Sequence, residues 1–314
     1  MIKIFRKIHR RLQSLRSKVK EYHKRERIYH YGNENPDKIF YIICFDYETQ
    51  GLFAIVKSVL SHIMYAVDKG WIPVVDLKNY SCQYQQKGEN SWELFFEQPC
   101  GYTLEDISRS NRVVISYYGM YPYNTYDFYV DILDSPEKYK SIAEAYRKYI
   151  KPNAKVRNFM QETLKDLNID NQTLGILCRG TDYINRKPHN HPRQPEPKIV
   201  IQDAKAFLAD NQYSKVFVAT EDQKVLDEFK KTFGNQLKYI NQPRIELNSN
   251  QQFIAEINIA ASDKIKMAVD YYTALFVLSR CPSILAGRTA GTLGAVLMSD
   301  GYRMSKFYDL GYYD

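Results

Sequence analysis

Three short polar clusters each follow an apolar run of strand character. Arg179-Gly180-Thr181-Asp182 follows the run 174–178, Thr220-Glu221-Asp222 follows 215–219, and Arg288-Thr289-Ala290-Gly291-Thr292 follows 283–286. The first sets a fixed cation on a tight turn beside a hydroxyl and a carboxylate, which suits a phosphate gripped by a bidentate guanidinium. The acids of the second could accept from ribose hydroxyls. The small residues of the third, at a helix start, leave backbone N–H groups free to meet a phosphate. Each also has a plainer reading: Asp222 and Thr289 as helix N-caps, and an arginine at a strand end as a surface ion pair. In open α/β sheets ligands bind outside the carboxyl ends of the strands, so three such clusters on successive strand ends point to a nucleotide or diphosphate site.

Other chemistries leave no trace. The chain has no GxxxxGK[ST] and no GxGxxG, which argues against a P-loop or a dinucleotide enzyme. No DxD is anchored on a strand, so arginine and backbone amides are left to neutralise a leaving diphosphate, and neither metal nor other cofactor is expected. The six histidines include no HExxH and no Cys/His group at zinc spacing; His189 and His191 alone are a weak metal signal. Five scattered cysteines without a CxxC fit a reducing compartment.

The elements that would position these clusters read as alternating strands and helices. After the turn-forming 32–36, the continuously apolar run 39–45 has the character of a buried parallel strand. A loop with Glu48 and Gly51 leads into a helical pattern over 52–69, then Gly70 as its C-cap and a second strand at 72–76. A further strand covers 112–116, and Ser135-Pro136-Glu137 opens a helix. The second half repeats the rhythm, with strands at 174–178, 215–219, 237–240 and 283–286, helices at 198–209 and after Asp222, a mostly helical 250–280, and a helix opening near Thr289. The fold expected is α/β, two doubly wound, Rossmann-like domains facing across a cleft. The divisions are a basic amphipathic helix at 1–31, an N-terminal α/β domain at 32–150 and a C-terminal α/β domain at 151–314, with a bend at Lys151-Pro152-Asn153.

The 314 residues carry a formal charge of +8, which on its own invites nucleic acid. Eleven Lys or Arg against two acids fall in residues 1–30, however, and the remainder holds 33 basic and 34 acidic residues, a net −1. The basicity belongs to one segment. There Phe5, Ile8, Leu12, Leu15, Val19 and Tyr22 recur at spacings of three and four, one apolar stripe on an otherwise cationic helix. Such a helix suits an anionic membrane surface, a short coiled coil or docking on the body; the excess of like charge favours lipid phosphate over self-pairing. No apolar run reaches the ~18 residues of a membrane span, and charges interrupt any signal-peptide core. A cytoplasmic protein, peripheral on the membrane's inner face, is expected.

At this point the motifs resemble a family. Leu177-Cys178-Arg179-Gly180-Thr181-Asp182-Tyr183 with His191-Pro192 is similar to the first motif of the α-1,6-fucosyltransferases, including the bacterial nodulation enzyme, and of the related protein O-fucosyltransferases. The stretch 216–222 resembles their second motif. Val269-Asp270-Tyr271, Leu278-Ser279-Arg280-Cys281 and Gly287-Arg288-Thr289-Ala290 resemble the third, and Gln50-Gly51-Leu52 the superfamily's glycine-loop start. The resemblance implies an inverting, metal-independent glycosyltransferase of GT-B type, with 32–150 on the acceptor side and 151–314 binding a nucleotide-sugar donor such as GDP-fucose. It implies Arg179 on the donor β-phosphate, Thr289, Ala290 and Gly291 on the diphosphate, and Asp270 near the base or ribose. Leu177 stands where the family carries a histidine, and Ala290 and Gly291 where it carries serines.

The chemistry expected is direct displacement at the anomeric carbon, the leaving diphosphate held by Arg179 and helix amides, with Asp182, Glu48 or His191 as general base. Each of the three has a plainer reading, as turn former, solvated acid and structural turn residue. The acceptor would be a glycan or lipid-linked glycan in cell-surface polysaccharide synthesis, with no nucleic acid involved. The competing reading is a non-catalytic protein on a degenerate transferase fold, binding anionic lipid or nucleic acid.

Overall fold

A computed structural model describes residues 26–46, 50–116, 128–179, 187–209, 213–244 and 260–314. Residues 1–25 of the basic arm, Glu48, and Gly180, Thr181 and Asp182 of the first cluster therefore lie outside the described residues.

The first half builds a four-stranded sheet from β1 (Arg27–Tyr29), β2 (Phe40–Ile43), β3 (Ile72–Val75) and β4 (Val113–Ile115), in the order β1-β4-β2-β3. β2 lies between two parallel neighbours, opposite Ile72–Val75 on one side and Val113–Ile115 on the other. With helices to cover it, such a strand has little water-facing surface, and Phe40, Tyr41 and Ile43 are wholly buried. β1 corrects only the end of the helix expected at 1–31, since 1–25 lie outside the described residues. Residues 27–29 are extended and pair antiparallel with β4, Arg27 opposite Ile115 and Tyr29 opposite Val113. The apolar stripe ends at Tyr22, so no helical periodicity opposes the ladder at this sheet edge, and Ile28 is left 64% exposed.

Between β2 and β3 runs α1 (Leu52–Asp68), with Gly51 at its N-cap position in extended backbone. Its end is a Schellman turn: Gly70 N–H donates to the Val67 carbonyl at 2.9 Å and Trp71 N–H to that of Ala66 at 2.8 Å. Gly70 has φ +71°, which explains a glycine there, one position beyond the C-cap Lys69.

α2 (Pro136–Tyr149) and α3 (Ala154–Leu167) link the halves. Ser135 occupies the N-cap position of α2 but makes no side-chain capping bond. Asn153 caps α3 through the Val156 N–H at 3.0 Å. The second sheet takes β5 (Thr173–Leu177), β6 (Lys215–Ala219), β7 (Leu237–Lys238), β8 (Ser283–Gly287) and β9 (Met304–Tyr308), all parallel, in the order β7-β6-β5-β8-β9. α4 (Pro197–Ala209) and α5 (Gln223–Phe233) connect its strands, as do α6 (Ala261–Arg280) and α7 (Ala290–Met298).

Strand alternation divides this sheet's side chains between two cores. Val216 and Val218 join Val200 of α4 and Phe229 of α5, whereas Phe217 and Ala219 join the cluster containing α6 and α7. That larger cluster continues into the first half through α1 and α2. Phe53 of α1 meets Tyr272 of α6 edge-on at 5.6 Å, and Gly294 of α7 leaves the space that Phe53 fills, for a Cβ there would collide with its ring. Two separately hydrogen-bonded sheets thus share an apolar core.

Candidate functional site

Register brings the three clusters to one edge. Leu177 of β5 is opposite Ala219 of β6 and Ala286 of β8, and Cys178 N–H extends the pairing to the Ala219 carbonyl at 3.1 Å. Arg179, Thr220 and Arg288 therefore leave adjacent parallel strands at their carboxyl ends. Arg179 is half-buried. Cys178 beside it is fully buried, and burial pushes its thiol up to about 12, which removes it as a nucleophile.

At the second cluster Asp222 does what an N-cap does: its carboxylate accepts from the Lys224 N–H at 2.8 Å and the Val225 N–H at 3.3 Å. Thr220 Oγ1 accepts from the Asp222 N–H at 3.2 Å. At the third, Thr289 caps α7 through the Thr292 N–H at 3.1 Å, and the Thr292 hydroxyl is turned back to the Gly287 carbonyl. Those two side chains serve the turn. The first-turn N–H groups of Ala290 and Gly291 are of the kind that can meet an anion at a helix start. A Cβ on Gly291 would collide with the Tyr271 hydroxyl, so the glycine is what allows Tyr271 of α6 to lie across the start of α7.

Arg288 has a different environment from that of an open anion ligand. Its side chain is only 9% exposed, and Nη2 pairs with Asp134 at 2.5 Å and Asp309 at 3.4 Å. Two carboxylates already balance this cation, and Nε is buried without a partner among the described residues. Asp270 is also buried on α6 and pairs with Lys266 at 3.2 Å. Burial raises its carboxyl above the usual range, against the opposing influence of Lys266 and Arg244. His191 sits where the C-terminal tail returns: Tyr313 N–H donates to its carbonyl at 3.0 Å and its N–H donates to Pro188. Its Nδ1 is 3.0 Å from the His189 carbonyl, which fits a turn residue.

A small open pocket, with enclosed room for about one water molecule, lies at the end of β6. Its walls are Val218, Ala219 and Thr220 of β6 and its exit, Ile240, Gln242 and Arg244 beyond β7, and Tyr271 and Ala274 of α6. The last two stand three residues apart on one helix face. Sequence reading missed Gln242 and Arg244. The signal was present, since Asn241-Gln242-Pro243-Arg244 follows a strand end just as the three clusters do. Arg244 uses its whole guanidinium as a staple, donating to the carbonyls of Thr220 at 3.2 Å, Gln242 at 3.1 Å and Ile240 at 2.8 Å. It holds the loop after β7 against the end of β6.

The first half closes on this edge. Phe53 meets Tyr271 edge-on at 6.2 Å. Burial above all pushes the phenol of Tyr84 above its usual range. Gln83 Nε2 donates to the Gln50 carbonyl and fixes the entry to α1. No group of three or more His, Cys, Asp or Glu able to hold a metal occurs among the described residues.

No family model matches the chain, and no curated protein sequence matches it. Solved structures do. Fucosyltransferase NodZ from Bradyrhizobium superposes with a TM-score of 0.51 at 15% identity, over 88% of this chain and 97% of that one. The fold is fucosyltransferase-like. A NodZ α-1,6-fucosyltransferase crystal soaked with GDP-fucose gives a TM-score of 0.50 at 15% identity, over 83% of this chain and 93% of the other. POFUT1 in complex with GDP gives 0.48 at 11% identity, over 86% and 98%. The chain shares the α/β fold of the NodZ fucosyltransferase, as the motifs in 177–192 and 216–222 led one to expect. Among the described residues no helix is long and apolar enough to cross a membrane.

Proposed function

We propose that this protein is a nucleotide-sugar-dependent glycosyltransferase whose donor lies over the carboxyl ends of β5, β6 and β8. The observation that carries the reading is the register that sets Arg179, Thr220 and the start of α7 side by side, next to a pocket at the end of β6. The NodZ structure soaked with GDP-fucose supports a nucleoside diphosphate sugar as the donor class, with fucose as the first sugar to try.

In this reading 32–150 forms the acceptor side, 151–314 the donor side, and Phe53 and Tyr84 belong to the wall between them. Arg179 carries the β-phosphate, helped by the free N–H groups at the start of α7, and together they stabilise the negative charge that develops on the departing diphosphate. The acceptor hydroxyl attacks the anomeric carbon from the opposite face and inverts it, while Asp182, Glu48 or His191 takes its proton. Arg288 serves the site indirectly, by holding the end of β8 through Asp134 and Asp309. Charge neutralisation by arginine and amides is the basis for proposing metal independence. The cationic residues of 1–30 would hold the enzyme at an anionic membrane surface, near a glycan or lipid-linked glycan acceptor and on the cytoplasmic side.

The test is thermal stability with nucleoside diphosphates. At about a hundredfold excess over Kd, a ligand confined to the folded state adds roughly 2.7 kcal/mol. One diphosphate should raise the melting temperature of the wild type and leave Arg179→Ala nearly unmoved. Equal responses from the two proteins, or none from the wild type, would refute the assignment.

A further inference from the structure

We infer that the β1 edge of the first sheet, carrying Ile28 and Tyr31, is the face on which the folded body meets an anionic lipid surface. The inference rests on the membrane role proposed above for residues 1–30 and adds to it the part of the body that touches the bilayer.

Among the described residues β1 is the end strand of its sheet and pairs with β4 alone. Both of its ends are fixed to the body. Ahead of it, Glu26 accepts a hydrogen bond from the Tyr65 hydroxyl of α1 at 3.0 Å; beyond it, the Tyr31 N–H donates to the Ser110 carbonyl at 3.1 Å. Residues 1–25 therefore join the body at this edge. They hold ten Lys or Arg against one acid, Glu21. Ile28 follows Arg25 by three residues, which is at most about 10 Å of extended chain and close to the Debye length at physiological salt. An anionic surface that engages those charges comes within reach of β1.

The side chains presented there are apolar. Ile28, 64% exposed, and Tyr31, 48% exposed, are the two most exposed large hydrophobic side chains among the described residues. Tyr31 stacks on Tyr29, with ring centroids 5.8 Å apart and planes 5° from parallel. Tyrosine joins an apolar ring to a polar tip, which suits the boundary between headgroups and acyl chains. Burial of apolar surface and attraction to anionic lipid are the two contributions to interfacial binding, and this edge sets them side by side. A second copy of the chain fits less well. Pairing of β1 with its own copy offers three residues a side, where stable interfaces use about 20–30, and brings two cationic segments together.

The experiment sediments the full chain with phosphatidylcholine vesicles, with and without phosphatidylserine, at physiological salt. The proteins are the wild type, the double variant Ile28→Ser with Tyr31→Ser, and Ile199→Ser as an exposed apolar control on α4. None of these substitutions changes the net charge. The wild type and Ile199→Ser should bind the phosphatidylserine vesicles alike, and the double variant on the order of tenfold more weakly. All three should melt at nearly the same temperature, because the replaced side chains are exposed. In a second measurement, the fluorescence of Tyr31→Trp should be quenched by brominated acyl chains beyond the wild-type background. That of Tyr312→Trp, at an equally exposed position in the second half, should not. If the wild type binds but the double variant is unaffected, or Tyr31→Trp is left unquenched, the edge is refuted as the contact face while the membrane role of 1–30 stands. If the wild type binds no anionic vesicle, both fall. A vesicle-free dimer that the double variant abolishes would assign the edge to a second copy and overturn the inference.

Discussion

Arg288, at the end of β8, reaches Asp134 in the short 3-10 turn Val130–Asp134 with Nη2 2.5 Å from the carboxylate, across 154 residues of chain. A second carboxylate, Asp309 at the end of β9, completes the clasp at 3.4 Å. One buried guanidinium thus ties the linker ahead of α2 to the site-bearing edge of the second sheet. Asp134 is half exposed, so its removal leaves Arg288 buried but only partly uncompensated. Breaking fully buried pairs costs about 3–5 kcal/mol, and here Asp134→Ala should cost about 1–3 kcal/mol in urea unfolding. Asp309→Ala, at the longer distance, should cost less. Equal costs would show that the clasp is not centred on Asp134.

Gly291 and Tyr271 should behave as a coupled pair. Gly291→Ala sets a methyl against the Tyr271 hydroxyl and should destabilise by about 1–3 kcal/mol, the usual range for overpacking. Tyr271→Phe removes the colliding oxygen, although the ring carbon that bore it still lies 3.0 Å from the new methyl. The double variant should therefore recover part of the loss. A double-mutant cycle with no coupling would remove the proposed contact.

The Asp270 carboxyl, raised by burial, makes a prediction about pH. A carboxyl whose folded pKa lies above its unfolded value of about 3.9 binds more protons in the folded state between those two values. Its contribution is therefore fully present below about pH 3.9 and is lost as the pH rises through the folded pKa. Asp270→Asn should abolish this fall, so that the stability of the wild type relative to the variant declines from pH 4 upward in chemical melts. A relative stability that rises with pH would mean that Lys266 outweighs burial.

Asp222 separates capping from ligand binding. Asp222→Ala removes the acceptor for two N–H groups of α5 and should cost about 1 kcal/mol, whereas Asp222→Asn retains a capping oxygen and should remain within a few tenths. If Asn restores stability but not nucleotide binding, the carboxylate also meets the ligand; if it restores both, Asp222 is a cap alone.

Phe53 and Gly294 report on the contact between the halves. Phe53→Ala empties a site shared by α1, α6 and α7 and should cost about 3–5 kcal/mol. Gly294→Ala should also destabilise, and less so when Phe53 is already Leu. Additive losses in unfolding experiments would contradict direct packing.

Much of the polar edge of the second sheet was legible in the sequence because its signals are local. An apolar run buried on both faces and ending in a polar residue can be recognised at 174–179, and such a run followed by a polar turn and a helix start at 215–222 and 283–292, from neighbouring residues alone. Local patterns also named Thr289 and Asp222 as capping candidates and Gly70 as a helix end. The strand at 27–29 was not legible, because three residues at a sheet edge carry little local pattern and their pairing with β4 lies more than eighty residues away.

What the sequence determined by itself was the alternation of strands and helices, the polar ends of the second-half strands and the placing of the net positive charge in residues 1–30. These depend on side-chain periodicity and composition. Tertiary structure decided which ends lie side by side, that Arg288 is balanced by Asp134 and Asp309, and that Gln242, Thr220 and Tyr271 line one pocket. The reason is physical: parallel strands are joined through crossovers, so their order in the sheet and the side chains that meet beyond their ends depend on packing between residues far apart in the chain.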